Sequence, residues 1–240
     1  MLMSASAGRV GHLGFGTQLL GALVVTFGLD YLCTWLARDN AGIALLWPPE
    51  GLMLGLLLLG RAEHRWHYVA ARAIAGCAAH LLYGDAVAVS LVFAAGGALQ
   101  LGIAGVKLHR RADTLRLLGE AAALKQFLLW GVALPPLIAG ASVGFALLLV
   151  QPSMAMHAGL AIWRNWTMAS AMGVAIVTPL VFAVRQSEWQ ERLLGEDGNR
   201  NVGSLLACLA TIVAVFVQPT YPLLFCNSPA PLSPICHRLG

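Results

Sequence analysis

Ionisable and aromatic side chains within long apolar stretches are the residues of this sequence that could do chemistry. Four ionisable residues of this kind are Asp30, Glu50, His80 and Arg164. A charge inside a bilayer is expensive, so such residues face a partner or a cavity. We therefore predict an outward-facing polar pocket, in which Glu50 pairs with Arg164. Its roof consists of three tryptophans, Trp47, Trp163 and Trp166.

A plainer interpretation of the same residues stays open. Each charged group would then reach water at a membrane interface, with the tryptophans in the usual aromatic belt. Asp85 fits this second interpretation, since it follows His80 in a short turn. Pro48 and Pro49 are included in the predicted site because they begin the helix that carries Glu50.

The remaining polar residues suggest structural roles. Arg72 lies two turns into an apolar stretch, from where its long side chain would reach the cytoplasmic interface. Gln100 is expected to form a hydrogen bond between helices. His64 and His67 lack a Cys or Glu at ligand spacing, so no metal site is expected. No nucleophile has a His at helical spacing beside it, so we expect no enzyme. The sequence has no phosphate loop and no dinucleotide fingerprint, so we expect no cofactor. The net charge of +4 fits cytoplasmic loops, so we expect no nucleic-acid partner.

The composition identifies the environment of these residues. The chain has 240 residues, of which 58% are hydrophobic and 11% are charged, with a mean hydropathy of +0.74. A soluble domain averages about 25% charged residues, so this chain has too little polar surface to coat a globule in water. Intrinsic disorder requires low hydrophobicity and is also excluded. The composition predicts an all-α, polytopic transmembrane helical bundle surrounded by membrane lipids.

Seven apolar stretches are long enough to be considered as spans. They fall at 13–36, 43–60, 66–83, 86–106, 125–150, 154–184 and 202–218. Eleven Lys and Arg residues lie in one set of alternate connections and two in the other. Since positive residues favour the cytoplasmic side, the predicted location is the bacterial inner membrane, with a cytoplasmic N-terminal segment at 1–12.

Three spans have irregular features. The second contains Pro48 and Pro49, which predicts a broken helix that starts at Pro48 and is too short to cross alone. The fifth contains Pro135 and Pro136, which predict a kink. The sixth stretch exceeds 30 residues, so we divide it into an interfacial part at 153–163 and a span at 165–184.

The C-terminal stretch changes character abruptly. Five of the eleven prolines lie between Pro219 and Gly240, which excludes an ordinary helix there. The apolar segment from Tyr221 to Phe225 is typical of the start of an eighth span. We therefore expect a membrane domain at 13–225, a remnant of an eighth span, and an irregular tail at 226–240 that results from truncation or a frameshift.

Three motifs occur in the order of a known family. They are Leu45-Leu46-Trp47-Pro48-Pro49-Glu50-Gly51-Leu52, the segment from Trp163 to Gly173 continuing to Thr178-Pro179-Leu180, and Leu108-His109-Arg110-Arg111. This pattern resembles the first class of bacterial membrane-associated sensor domains, the MASE family of type one. Two residues depart from it, because Glu50 stands where a small residue is usual and Ser170 stands where an acid is usual.

The resemblance implies a sensory input module for a diguanylate cyclase, a phosphodiesterase or a histidine kinase. Such a module would receive a periplasmic or membrane-borne signal and pass it to a cytoplasmic effector domain or kinase. We expect that effector to be absent from this chain, and a homodimer is left open. The alternative is a small secondary transporter, since broken helices with paired prolines are also found in transporters.

Overall fold

All regular structure in the described part of the protein is helical. The computed structural model describes residues 14–39, 46–109 and 121–185. Its α-helices are α1 (Phe15–Asp39), α2 (Pro48–Leu59), α3 (Arg65–Leu82), α4 (Val87–Leu108), α5 (Ala121–Phe127), α6 (Leu134–Val150) and α7 (Met156–Arg185). A short 3₁₀ turn at Ala62–His64 precedes α3, and a π-helical segment at Leu128–Ala133 joins α5 to α6. The predicted all-α class is confirmed for these residues.

Four helical stretches are long and apolar enough to cross a membrane. They are Phe15–Ala37, Val87–Leu108, Ala121–Val150 and Met156–Val184. The predicted second span corresponds to the 12-residue helix α2, and the predicted third span corresponds to α3. The predicted span at 202–218, the eighth-span remnant and the tail lie outside the described residues.

The short helix α2 lies at the centre of the bundle. It packs along α7 and also contacts α1, α3 and α4. Its side chains Met53, Leu57 and Leu58 are completely buried. By contrast, large apolar side chains of the outer helices face outward, among them Leu20 and Phe145. An apolar exterior of this kind suits a lipid environment, since hydrocarbon chains replace water around it.

The start of α2 agrees with the sequence. Pro48 is its first residue, and the preceding Trp47 has non-helical backbone angles of φ −119° and ψ 81°. The Trp47 N–H donates a 3.0 Å hydrogen bond to the Ala169 carbonyl of α7. Helix α7 thus satisfies the backbone donor that precedes α2. The predicted short helix from Pro48 is therefore confirmed.

Glycines allow α2 and α7 to approach backbone to backbone. A Cβ added at Gly173 would collide with the Trp47 carbonyl, and one added at Gly51 would lie 2.8 Å from Cβ of Val177. Thr178 strengthens this contact, because its hydroxyl donates a 2.9 Å hydrogen bond to the Gly51 carbonyl. Small residues serve the same purpose at many helix interfaces in membranes.

The paired prolines of the fifth predicted span follow a segment of π-helical geometry. Pro135 and Pro136 lack an N–H, so carbonyls one turn earlier lose their α-helical donors. The helix adopts π geometry over Leu128–Ala133, just before them, and returns to α geometry at Leu134. The kink at this position stays a prediction.

The sixth apolar stretch forms one continuous helix, and its division into an interfacial part and a span stays a prediction. Helix α7 runs without interruption for 30 residues from Met156 to Arg185. At 1.5 Å per residue it is about 45 Å long, which exceeds the hydrocarbon thickness of about 30 Å. Nothing between Met156 and Thr178 breaks helical hydrogen bonding, since the first proline inside the helix is Pro179. A helix of this length is accommodated by tilt or by extension beyond the lipid core.

We predict that Gly173→Leu destabilises the protein, since its side chain would meet the Trp47 carbonyl. Overpacking of this kind lowers the free energy of unfolding by roughly 1–3 kcal/mol. Gly28→Leu is the matched control, because a Cβ at Gly28 has no atom within 4 Å. Thermal unfolding in detergent, followed by size-exclusion chromatography, measures both variants. Equal melting temperatures for the two would contradict the described approach of α2 to α7.

Candidate functional site

A buried ionic trio joins the first three helices. The Arg72 Nη1 donates to Asp30 Oδ2 at 2.7 Å, and Nη2 donates to Glu50 Oε1 at 2.6 Å. The Arg72 Nε also donates to the same Glu50 oxygen, at 2.9 Å. The exposed fraction is 2% for Arg72 and 1% for each carboxylate residue. Charge-assisted hydrogen bonds of this geometry are the ones that compensate a buried guanidinium.

Two glycines make room for the guanidinium. A Cβ at Gly76, one helical turn after Arg72 on α3, would lie 2.6 Å from Nη1. A Cβ at Gly97 of α4 would lie 2.9 Å from both Cζ and Nη2. A side chain at either position would therefore displace the guanidinium.

Indole groups extend the trio towards α4 and α7. The Trp47 indole N–H donates to Asp30 Oδ1 at 3.0 Å, which occupies the second oxygen of that carboxylate. On α7, the Trp166 indole N–H donates to Gln100 Oε1 of α4, also at 3.0 Å. The predicted role of Gln100 in bonding two helices is therefore confirmed.

An open cavity of about 260 Å³ lies against Arg72 of the trio. Three aromatic rings line it, from Trp47, Phe93 and Trp166. Five polar side chains also line it, from Thr34, Arg72, His80, Asn165 and Ser170. These residues come from α1, α3, α4, α7 and the segment before α2, so a molecule in the cavity would contact most of the bundle at once.

One side of the cavity is a stack of parallel rings. The His80 and Phe93 rings lie 4.6 Å apart with an interplanar angle of 7°, and Phe93 continues the stack to Trp166 at 6.0 Å and 9°. The His80 Nδ1 lies 2.7 Å from Asp85 Oδ2, so the carboxylate orients the imidazole. Asp85 therefore contacts a residue of the cavity lining, and its interfacial position stays a prediction.

Two other buried polar atoms face a much smaller space. Within the described residues, Glu50 Oε2 and Gln100 Nε2 have no hydrogen-bond partner. Both residues line the same narrow gap, together with Leu54, Leu101, Ala104, Gly131 and Val174. The Glu50 oxygen, an acceptor, and the Gln100 nitrogen, a donor, thus belong to two residues that line one gap.

The predicted ion pair between Glu50 and Arg164 is wrong. Glu50 pairs with Arg72, whereas the Arg164 side chain is exposed on α7. The prediction that Arg72 extends to the cytoplasmic interface is wrong for the same reason. A guanidinium that finds two carboxylates inside the bundle gains more from them than from a distant interface.

The structure brings together some of the other predicted site residues. Trp47, Trp166 and His80 line the cavity, and Asp30 belongs to the trio. Trp163 is not among the lining residues, and its indole N–H donates to the Leu137 carbonyl of α6. Pro48 and Pro49 form the first turn of α2. A ligand-binding role for these residues stays a prediction.

Sequence reasoning missed Arg72 as the centre of the site, and with it Thr34 and Phe93. The available signal was electrostatic, since Asp30, Glu50 and Arg72 stand inside three consecutive helices and their charges have opposite signs. Phe93 and Thr34 carry no such signal, because each also fits an ordinary apolar helix.

No metal site accompanies the cavity in the part of the chain that the structure describes. Within those ranges, no three His, Cys, Asp or Glu side chains are grouped so that they could hold a metal ion.

Comparison with known protein families identifies the family of this chain. A model of the MASE1 family matches residues 2–232 of the chain. No curated protein and no solved structure matches it.

We predict that Arg72→Leu destabilises the bundle strongly, because it leaves two carboxylates buried without their cation. Removal of one partner from a buried ionic group costs about 3–5 kcal/mol. Arg164→Leu is the matched control, since Arg164 is exposed and an exposed substitution changes stability by about 0.5 kcal/mol or less. Unfolding in detergent compares the variants, and equal losses from both would contradict the trio.

Proposed function

Because the chain belongs to the MASE1 family of membrane-associated sensor domains, we propose that it is the sensory input module of a bacterial signalling protein. Its apolar helices make it an integral membrane protein, in agreement with that family. Within the proposal, the membrane domain spans residues 13–225 and does no catalysis itself. This assignment favours the sensor interpretation over the small secondary transporter.

The observation that carries the proposal is the position of the cavity against the ionic trio. Arg72 lines the cavity and simultaneously bonds Asp30 of α1 and Glu50 of α2. A molecule that contacts Arg72 therefore acts on a group that holds three helices together. A ligand shifts a conformational equilibrium only if it binds the two states differently, and a shared ionic group offers such a difference.

The signal would leave the membrane on the cytoplasmic side. We propose a location in the bacterial inner membrane with a cytoplasmic N-terminus, based on the distribution of Lys and Arg. The output partner would be a cytoplasmic diguanylate cyclase, phosphodiesterase or histidine kinase. The incoming signal would be a periplasmic or membrane-borne molecule that enters the cavity, and lipids would cover the apolar exterior.

The two turns that flank α3 test this orientation. We predict that a fluorescent-protein fusion after Gly60 is cytoplasmic and fluorescent, while an alkaline phosphatase fusion after Gly84 is periplasmic and active. The reciprocal fusions at each site are the controls and should be inactive. The opposite pattern would place the N-terminus outside and the cavity on the cytoplasmic side.

Signal output tests the sensor function itself. We predict that the full chain, fused to a cytoplasmic diguanylate cyclase domain, changes cellular cyclic di-GMP when Ser170→Leu fills the cavity. Ser142→Leu is the matched control, because Ser142 lies on the exposed side of α6. Membrane insertion of both fusions is checked by fractionation.

Two results would contradict the proposed function. One is an output that is identical for the inserted wild-type and Ser170→Leu fusions. The other is accumulation of a solute by vesicles that contain the purified chain, which would indicate a transporter instead.

A further inference from the structure

The ionic trio carries an unbalanced negative charge. The carboxylates of Asp30 and Glu50 face one guanidinium, that of Arg72, so full ionisation leaves the trio with a net charge of −1. An uncompensated charge inside a membrane bundle is costly in free energy, because little water is present to solvate it. The trio therefore has a place for one more positive charge.

The hydrogen bonds of the trio identify the oxygen that lacks this charge. Both oxygens of Asp30 accept a hydrogen bond, one from Arg72 and the other from the Trp47 indole. Glu50 Oε1 accepts two hydrogen bonds from Arg72, whereas Glu50 Oε2 is buried and has no partner within the described residues. Hydrogen bonds from charged donors stabilise an ionised carboxylate. The position left for the missing charge is therefore Glu50 Oε2.

The other titratable groups of α1 and α3 near the trio do not supply this charge. On α3, His80 Nδ1 lies 2.7 Å from Asp85 Oδ2, so any positive charge on the imidazole is matched by that carboxylate. On α1, Cys33 follows Asp30 by one turn, and a thiol carries no positive charge in either protonation state.

Helices α4 and α7 do not supply the charge either. The polar residue of α4 that lines the same gap as Glu50 is Gln100, which is neutral. Lys107 of α4 lies two turns further along, where its ammonium group is 4.6 Å from the centre of the Trp130 ring. On α7, the Arg164 side chain is exposed. The excess negative charge thus remains with the trio.

The surroundings of Glu50 Oε2 favour a proton over a larger cation. The gap that Glu50 lines has no room for a water-sized sphere, so neither a water molecule nor a hydrated ion fits there. Hard metal cations take about six or more oxygen ligands. Apart from Glu50 and Gln100, the lining consists of apolar residues and a glycine: Leu54, Leu101, Ala104, Gly131 and Val174. A proton requires neither the space nor the additional ligands.

We propose that the trio is a proton-binding site, in which Glu50 holds the proton on Oε2 at neutral pH. Binding forms one O–H bond with a proton taken from water and transfers no electron. Exposed glutamates are ionised at this pH, so the site would differ from them in charge. Because Arg72 bonds to Oε1, a proton on Oε2 leaves both hydrogen bonds between Arg72 and Glu50 in place.

Gln100 connects this proton to the large cavity. Its Nε2 has no partner within the described residues, and it lines the same gap as Glu50. An ionised carboxylate oxygen is a much better acceptor than a protonated one, so loss of the proton would draw the Gln100 amide to Oε2. Gln100 Oε1 already accepts from the Trp166 indole, and Trp166 lines the cavity. The proton thus controls a hydrogen bond between α2 and α4 beside a cavity residue.

The proton site adds a second input to the proposed sensor. Its existence depends only on the geometry of the trio and the gap, whereas its use as a signal rests on the proposed function. The two are therefore tested by separate measurements.

Infrared spectroscopy of the purified full chain tests the proton directly. A protonated carboxyl group has a C=O stretching band that an ionised carboxylate lacks, and a maltoside detergent has no carbonyl group to obscure it. We expect this band at neutral pH and its loss at alkaline pH. Labelling the chain with glutamate that carries a heavy carbon isotope in its side-chain carboxyl should displace the band. Absence of the band at neutral pH, or a band that only labelled aspartate displaces, would overturn the proposal.

Two substitutions identify the glutamate. Glu50→Gln removes the carboxyl group and keeps an oxygen that accepts from Arg72, so it should abolish the band. Glu63→Gln is the matched control and should keep it, since the Glu63 side chain is 60% exposed. If Glu50→Gln does not fold, Asp30→Asn replaces it, because removal of the excess negative charge should also abolish the band. A band that survives the substitution would contradict the site.

A pH titration of the same band tests Gln100. Gln100→Met keeps the length of the side chain and removes the amide that would stabilise ionised Glu50. The alkaline midpoint at which the band disappears should therefore rise by about one to two pH units. Gln151→Met is the control, since Gln151 is exposed at the end of α6. Equal midpoints for the wild type and Gln100→Met would overturn the connection to the cavity.

The diguanylate cyclase fusion tests whether the proton is a signal. Glu50→Gln resembles the protonated state at every pH, so its output should stay constant between neutral and alkaline medium, whereas the wild-type and Glu63→Gln outputs should change. Because infrared spectroscopy needs no effector, a band from Glu50 with a pH-independent wild-type output would keep the site and reject the proton as an input. Absence of the band would reject the site and leave the proposed function standing.

Discussion

An arginine inside a membrane bundle must find anions, and this requirement dominates the arrangement of the described helices. Arg72 uses three of its donors on Asp30 and Glu50, so α1, α2 and α3 are placed relative to one another by one ionic group. Hydrogen bonds between charged groups are strongest where the dielectric constant is low. The same low dielectric constant makes it costly in free energy to bury any member of the trio without the others.

The broken helix α2 follows from this constraint and from the bilayer. Its first turn carries Glu50, which bonds to Arg72, and Trp47 directly before it has non-helical backbone angles. Non-helical backbone inside a membrane is tolerated only where protein groups satisfy it, as the Ala169 carbonyl does for the Trp47 N–H. The Thr178 hydroxyl adds a bond to the Gly51 carbonyl within α2. Gly51 and Gly173 permit the close contact that these bonds need. Contacts with α7 thus stabilise the start of α2, and Trp47 at this start lines the cavity.

The arrangement gives the cavity a direct connection to helix packing. Its floor is the cation that holds three helices, and one of its walls, Trp166, is bonded through Gln100 to a fourth. A molecule in the cavity changes the surroundings of Arg72 and Trp166, which have few alternative hydrogen-bond partners. Discrete hydrogen-bonded groups of this kind have a small number of stable arrangements, which is the property that a two-state sensor requires.

The sequence by itself determined the membrane class, the helical architecture, the start of α2 at Pro48 and the family. These properties depend on hydropathy, on the missing proline N–H and on short local motifs, all of which act within one helix. Only the tertiary structure decided that Glu50 pairs with Arg72 and not with Arg164, that α7 continues past Trp163, and that Thr34 and Phe93 line the cavity. The reason is that a buried charge specifies the chemistry of its partner but not its identity. Which of two arginines meets a glutamate depends on how the helices pack around it, and no local pattern encodes that.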